Sequence, residues 1–268
     1  MGDNSSEIYR GHFNGKRVLV TGGASGIGLG IATAFAENGA SVLMIDRDPR
    51  VAESADGLKA QGYDAIGIEG DVTSEADVAK AIATAEESWG QLDVVINNAG
   101  VTTISTLEDL PLSDWQKIMD VNTTAQFIVI KAATPLLRKS ESGVILNAAS
   151  GQARKGFIFT PHYAASKFGV VGLTQSLAQE LVKDNIRVNS YCPGIVATDM
   201  WDYNDREWGR LLGDYKPGEL IAEWIDGIPM KRPAAPADVA NLLLFLASDA
   251  GNYITGQAIN IDGGMFMN

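Results

Sequence analysis

Soft and imidazole ligands are scarce in this 268-residue chain, which has one cysteine and two histidines. A single cysteine, Cys192, excludes an intrachain disulfide and fits a reducing compartment. It sits in an apolar run before Pro193 and reads as a small core residue. His12 and His162 alone exclude a His-rich metal site, and no metal is expected. Basic charge is also scarce: 21 Lys and Arg stand against 33 Asp and Glu, a formal net charge of −12. Such a surface repels phosphate backbones and anionic headgroups, so neither nucleic acid nor membrane is an expected partner. No apolar run is long enough to span a bilayer. Residues 1–11 are polar and lack the apolar centre of a signal peptide. A cytoplasmic protein is expected. Nine prolines form no Pro-rich stretch, which leaves no candidate linker.

The chain is 46% hydrophobic and 20% charged, a balance that lets one domain bury a large core. Its 29 glycines imply many tight turns. Short β-branched runs predict strands at 16–21, 41–46, 64–69, 92–97, 143–149, 186–192 and 258–262. Helical spacing predicts helices at 28–38, 48–61, 74–89, 113–139, 163–183 and 236–248. Strict alternation implies parallel pairing, because each crossover helix returns the chain to the same end of the sheet. The expected architecture is α/β: one domain, 13–268, with a doubly wound parallel seven-stranded sheet and helices on both faces. Residues 1–12 are expected to form a flexible tail, with Ile8, Tyr9 and Phe13 able to dock on a neighbouring surface.

Residues 199–231 break the alternation and carry Trp201, Tyr203, Trp208, Tyr215 and Trp224. Two readings are open: a surface helix pair with its own small core, or a lid over a substrate. The position, after the carboxyl end of a strand, favours the lid.

The first strand runs into Thr21-Gly22-Gly23-Ala24-Ser25-Gly26-Ile27-Gly28, where a helix opens. Glycines permit a tight turn and close backbone approach to a pyrophosphate, and free N–H groups at a helix start favour its charge. Gly22, Ser25, Gly26, Ile27 and Gly28 are therefore candidate cofactor contacts. The spacing is Gly-x-x-x-Gly-x-Gly, not the commoner Gly-x-Gly-x-x-Gly. Asp46 closes the second strand, eighteen positions after Gly28. An acidic group there accepts hydrogen bonds from ribose hydroxyls and repels the extra phosphate of NADP, so NAD is the expected cofactor. Arg47, beside it, is the one basic group able to swing towards such a phosphate.

These motifs are followed, in order, by Asn97-Asn98-Ala99-Gly100, Ser150, Tyr163-Ala-Ala-Ser-Lys167, Pro193-Gly194 and Asp262-Gly263-Gly264. The whole series, spread from Phe13 to Met265, resembles the short-chain dehydrogenase/reductase family. The resemblance implies a Rossmann-type sheet and hydride transfer between a nicotinamide and an alcohol or ketone. The residue types suit that chemistry. A free tyrosine titrates near ~10, too high for a ready base. Lys167 lies four residues after Tyr163, so a helix sets both on one face, and its charge favours tyrosinate. By resemblance, Lys167 also bonds the nicotinamide ribose, Ser150 holds the substrate oxygen, and Asn122 supports a water relay to the lysine. Asp71 and Val72 are expected beside the adenine, and Asn98, Ala99 and Gly100 along the adenosine. Val196 and Thr198, after Pro193 and Gly194, are expected at the nicotinamide carboxamide. His162 is expected to point off the catalytic face. The family resemblance also implies a homotetramer.

For the substrate, Ser150 and Tyr163 are joined by two candidates, Gln152 and Trp201. The stretches 192–201 and 253–265 resemble those of acetoin/butanediol and sugar-alcohol dehydrogenases, which implies a vicinal diol or polyol. The rival enzyme reading is a 3-oxoacyl-thioester reductase, whose usual basic residue in the glycine loop this chain lacks. A non-catalytic NAD-binding regulator on the same fold is the rival of another class.

Overall fold

A computed structural model describes residues 9–213 and 215–267. Its strands are β1 (Arg17–Thr21), β2 (Ser41–Asp46), β3 (Ala65–Glu69), β4 (Val94–Asn97), β5 (Gly143–Ala148), β6 (Ile186–Pro193) and β7 (Ala258–Ile261). The helices are α1 (Gly26–Glu37), α2 (Arg50–Ala60), α3 (Glu75–Trp89), α4 (Leu112–Met119), α5 (Ala125–Leu137), α6 (Pro161–Leu181), α7 (Asp199–Leu212), α8 (Glu219–Gly227) and α9 (Pro236–Ala247). The strands form one sheet of order β3-β2-β1-β4-β5-β6-β7, and every pairing is parallel. The doubly wound parallel sheet read from the alternation is what the chain forms.

Strand side chains alternate between the two faces, and both faces are buried. Val18 and Val20 of β1 pack with Ile31, Phe35, Val239 and Leu243 of α1 and α9. Leu19, between them, packs on the other face with Val78, Val129, Ala133 and Leu181 of α3, α5 and α6. The sheet reverses direction between β1 and β4, so their carboxyl ends open a crevice.

Two differences from the sequence reading matter for the site. The stretch expected as one helix over 113–139 is α4, one π-helical turn over Asp120–Thr124, and α5. The wider turn carries Asn122, fully buried at 0% exposure, at its centre. Residues 9–12, expected as part of a flexible tail, also differ from that reading. Turns at Tyr9–Asn14 fold back on the sheet's amino end, with Phe13 N–H donating to Asn38 O. Tyr9 packs at the edge of the core, while Ile8 lies outside the described residues.

The Phe13 ring meets Phe35 edge to face, with centroids 4.9 Å apart, and is almost wholly buried. Phe13→Ala is therefore expected to cost about 3–5 kcal/mol, read as a fall in the urea midpoint. An unchanged midpoint would mean that this turn only covers the core without holding it.

Candidate active site

A cleft of about 1060 Å³ opens along the carboxyl ends of the strands. Its lining holds Gly22, Ser25, Gly26, Ile27, Gly28, Asp46, Arg47, Asp71, Val72, Asn98, Ala99, Gly100, Ser150, Gln152, Tyr163, Lys167, Pro193, Gly194, Val196, Thr198 and Trp201. Of the residues expected from the sequence to serve catalysis or to touch cofactor or substrate, Asn122 alone is set behind the wall.

At one end the glycine loop leaves β1 and enters α1. Gly28 packs so closely that a Cβ there would lie 1.9 Å from the carbonyl oxygen of Gly22. Ser25 is the N-cap of α1 but makes no side-chain cap bond, so the leading N–H groups stay available. Asp46 Oδ2 accepts from Ala24 N–H at 3.0 Å, and Oδ1 from Asp48 N–H at 3.0 Å. Each carboxylate oxygen keeps capacity for a further bond, and Asp46 lines the cleft. Arg47 is exposed, whereas nearby Arg50 is taken by Asp48 at 2.6 Å. Asp71 Oδ1 is used by Thr73 through its N–H and Oγ1–H, at 2.8 and 2.7 Å. Asp71 thus shapes its own turn, and Val72 offers an apolar wall. A loop closed to a Cβ at Gly22, Gly23 and Gly28, an uncapped helix start and an acidic group one strand away together fit a dinucleotide.

At the other end, Pro161 starts α6 and sets Tyr163 and Lys167 one turn apart on the cleft face. The Lys167 Nζ lies 5.5 Å from the Tyr163 ring centroid and donates to Ala148 O at 2.9 Å. Burial brings Lys167 down to about 8. Burial also pushes the Tyr163 phenol up, and the neighbouring Ser150 hydroxyl opposes that rise. Ser150 follows β5, where its Oγ accepts from Gln152 N–H at 3.1 Å. The Asn122 Oδ1 accepts from Val101 N–H at 2.9 Å, and Nδ2 donates to Val101 O and Ser166 Oγ. A Cβ on Gly100 would lie 3.4 Å from Asn122 Oδ1 and 3.5 Å from Lys167 Nζ. Asn122 and Lys167 therefore flank that glycine. His162 is buried with its Nε2 2.7 Å from Thr103 Oγ1 and is absent from the cleft wall. Cys192 packs under the site with Ala149, Ala153 and Val170, where burial pushes its thiol up.

The segment after β6 forms α7 and α8, which settle on the cleft. Trp201, Trp208 and Trp224 pack on one another, with centroids 5.3 to 6.4 Å apart. Trp208 and Leu220 are buried there with Ile104. The segment has its own small core and lines the cleft at once, so the two readings of it are not exclusive.

Several lining residues were not foreseen as contacts: Phe157, Asn204, Trp208, Trp224, Met265 and Phe266. Aromatic density in 199–231 was the only usable signal for the tryptophans. Met265 and Phe266 arrive because Asp262 turns the chain back, its Oδ2 accepting from Phe266 N–H at 3.0 Å. The Phe266 ring then covers Gly151, where a Cβ would lie 2.5 Å from it.

The sequence matches the family described as enoyl-(acyl carrier protein) reductase over residues 22–266. It is 41% identical to an L-2,3-butanediol dehydrogenase from Corynebacterium glutamicum, covering 94% of this chain and 99% of that one. Among solved structures it resembles L-sorbose reductase from Gluconobacter frateurii, complexed with NADPH and L-sorbose. That match has a TM-score of 0.88 and 31% identity, covering 96% of this chain and 98% of that one. It equally resembles carveol dehydrogenase from Mycobacterium avium in complex with NAD, with a TM-score of 0.88, 31% identity and coverage of 95% and 99%.

The glycine cradle yields a direct test. Gly28→Ala forces a methyl against the Gly22 carbonyl. Affinity for NADH, measured by fluorescence titration, is expected to fall at least about tenfold. Unchanged affinity would show that the loop does not seat the dinucleotide.

Proposed function

The chain belongs to the short-chain dehydrogenase/reductase family, and on that premise we propose that it is an NAD-dependent dehydrogenase interconverting a vicinal diol or polyol and its ketone. One observation carries the reading: Tyr163 and Lys167 share a helix face beside Ser150, in the same cleft as the glycine loop. A nicotinamide cofactor supplies the hydride acceptor when bound, seated by Gly22–Gly28, Asp46, Asn98–Gly100, Val196 and Thr198.

The protein's own residues move the proton. In the oxidation direction, Ser150 holds the alcohol oxygen and the Tyr163 phenolate takes the hydroxyl proton as the C=O bond forms. Lys167 remains mostly charged at neutral pH, since burial lowers it only to about 8. Its charge stabilises the phenolate. Asn122, across Gly100 from the lysine, supports the outward relay of the proton.

NAD rather than NADP rests on Asp46 and on the absence of Lys and Arg from residues 21–28. The solved relatives divide on this point, one holding NADPH and the other NAD. The diol or polyol class is supported by the butanediol dehydrogenase and L-sorbose reductase likenesses. It is also supported by Gln152, whose Oε1 is taken by Thr160 while its amide N–H groups remain for the cleft. The rival is reduction of a 3-oxoacyl thioester, and the family description, an enoyl-(acyl carrier protein) reductase, shares with it a thioester-borne substrate. The reading takes 13–268 as one catalytic domain with 199–231 as its cover. The expected homotetramer belongs to it, with Phe127 and Phe168 exposed on α5 and α6 as candidate contacts. Among the described residues no helix is long and apolar enough to cross a membrane.

The deciding assay is NADH or NADPH formation with diols, polyols and simple secondary alcohols, set against NAD(P)H-dependent reduction of a 3-oxoacyl thioester. Turnover of the thioester alone would favour the rival. Tyr163→Phe is expected to keep NADH affinity and lose about a hundredfold to ten-thousandfold in kcat. Near-normal turnover would remove the tyrosine from the mechanism. Asp46→Ala is expected to shift the NAD/NADP ratio of kcat/KM at least about tenfold towards NADP.

Burial raises Tyr163, and oxidation needs its deprotonated form. Alcohol oxidation is therefore expected to climb with pH up to and beyond the ordinary tyrosine range, while ketone reduction, which needs the protonated form, holds until the phenol titrates and only then falls. Parallel profiles in the two directions would contradict the assignment.

A further inference from the structure

The cover of the cleft contains two neighbouring buried polar residues, and packing explains only one of them. Asp205 on α7 is 6% exposed, and both of its oxygens are hydrogen-bonded. Its Oδ2 accepts from Gly218 N–H at 2.6 Å and its Oδ1 from Ile221 N–H at 2.8 Å. It thereby ties α7 to the start of α8. Asn204 is 4% exposed and borders the cleft. Its Oδ1 is sealed from solvent with no hydrogen-bond partner among the described residues.

Trp201, Asn204 and Trp208 follow at i, i+3 and i+7, so one face of α7 presents the amide between two indoles. The Trp224 ring, 6.3 Å from Trp201 and 5.3 Å from Trp208, completes the apolar surround. A buried amide without a partner is unfavourable, and a leucine would fill the same space without that cost. The amide therefore has a use outside the packing of the cover.

We propose that Asn204 is a specificity-determining residue that hydrogen-bonds the second oxygen of the substrate, the one not held by Ser150 and Tyr163. This rests on the dehydrogenase reading above. An amide offers both a donor and an acceptor, and a turn about its terminal torsion exchanges them. It can thus pair with a second oxygen that is a hydroxyl, in a diol, or a carbonyl, in a diketone. The indoles keep water from the bond, which raises its worth for discrimination. A mono-alcohol leaves the amide unpaired and is selected against.

The test compares 2,3-butanediol with 2-butanol, which has the same carbon chain and lacks one oxygen. Wild type is expected to prefer the diol. Asn204→Leu is expected to lose at least about tenfold in kcat/KM on the diol, mostly through KM, and to change on 2-butanol by less than about threefold. Turnover of 2-butanol itself shows that the variant is folded, and Asn204→Ser serves the same ratio if the leucine variant does not fold. An unchanged ratio between the two alcohols, whether both fall or neither does, overturns the role of Asn204 and leaves the dehydrogenase reading standing. Wild-type failure on every diol and polyol, with either cofactor, overturns that reading and the Asn204 role with it.

Discussion

Thr21, Asn98 and Tyr191 come from three parts of the sheet and meet in one hydrogen-bonded junction. The Thr21 hydroxyl accepts from the N–H groups of Asn98 and Ala99, each at 3.0 Å. The Asn98 amide returns bonds to the carbonyls of Thr21 and Gly22 and accepts from the Tyr191 hydroxyl. Where β1 and β4 diverge, these carbonyls lose their ladder partners, and buried backbone groups must be paired. Side chains do that work here, which holds the crevice open and fixes the first residues of the glycine loop. The same closeness demands glycine: a Cβ at Gly22 would lie 2.9 Å from the Cα of Ala99. Loop, crevice and facing wall are thus one construction.

The chemistry at the far end depends on dryness. Burial alone drives Lys167 and Tyr163 towards a neutral pair, one falling from 10.5 to about 8 and the other rising from 10.0. Low dielectric also strengthens the attraction between the charged forms, so the two effects oppose each other within one site. Ala148 O takes one of the three ammonium donors and keeps the lysine beneath the tyrosine without neutralising it. A balance of this kind responds to small changes nearby, which suits the proton-transfer role proposed for Tyr163.

Much of this was legible in the sequence, because the informative signals are local. The period of apolar residues gave the strands, and a four-residue spacing put Tyr163 and Lys167 together. Glycines after a strand marked the loop. What stayed hidden depends on contacts between distant segments. The π-helical turn at Asn122 widens one turn of a helix and leaves the apolar pattern intact, so it has no compositional mark. Phe266 reaches the site only because Asp262 bends the chain and Asn260 holds the Phe266 carbonyl at 2.9 Å. Phe13 was legible as the start of the fold, but its edge-to-face contact with Phe35 was not.

The two ends of the cleft are held in different ways, and this separates chemistry from selection. Ser150 follows β5 closely and Tyr163 and Lys167 sit on α6, elements that belong to the body of the fold. The cover is joined to itself more than to the body. Asp205 locks α7 to α8, and the indoles pack on one another. Its ties outward include Trp208 Nε1–H to Ile158 O at 3.0 Å, and a short bridge of Val196 to Ala234 joins the segments that flank it. A side chain exchanged inside the cover alters the shape and polarity offered to a ligand, while Ser150, Tyr163 and Lys167 keep their places. One sheet can therefore carry different selectivities above the same Tyr163 and Lys167, and on the reading proposed above Trp201 and Asn204 are where that selection would sit.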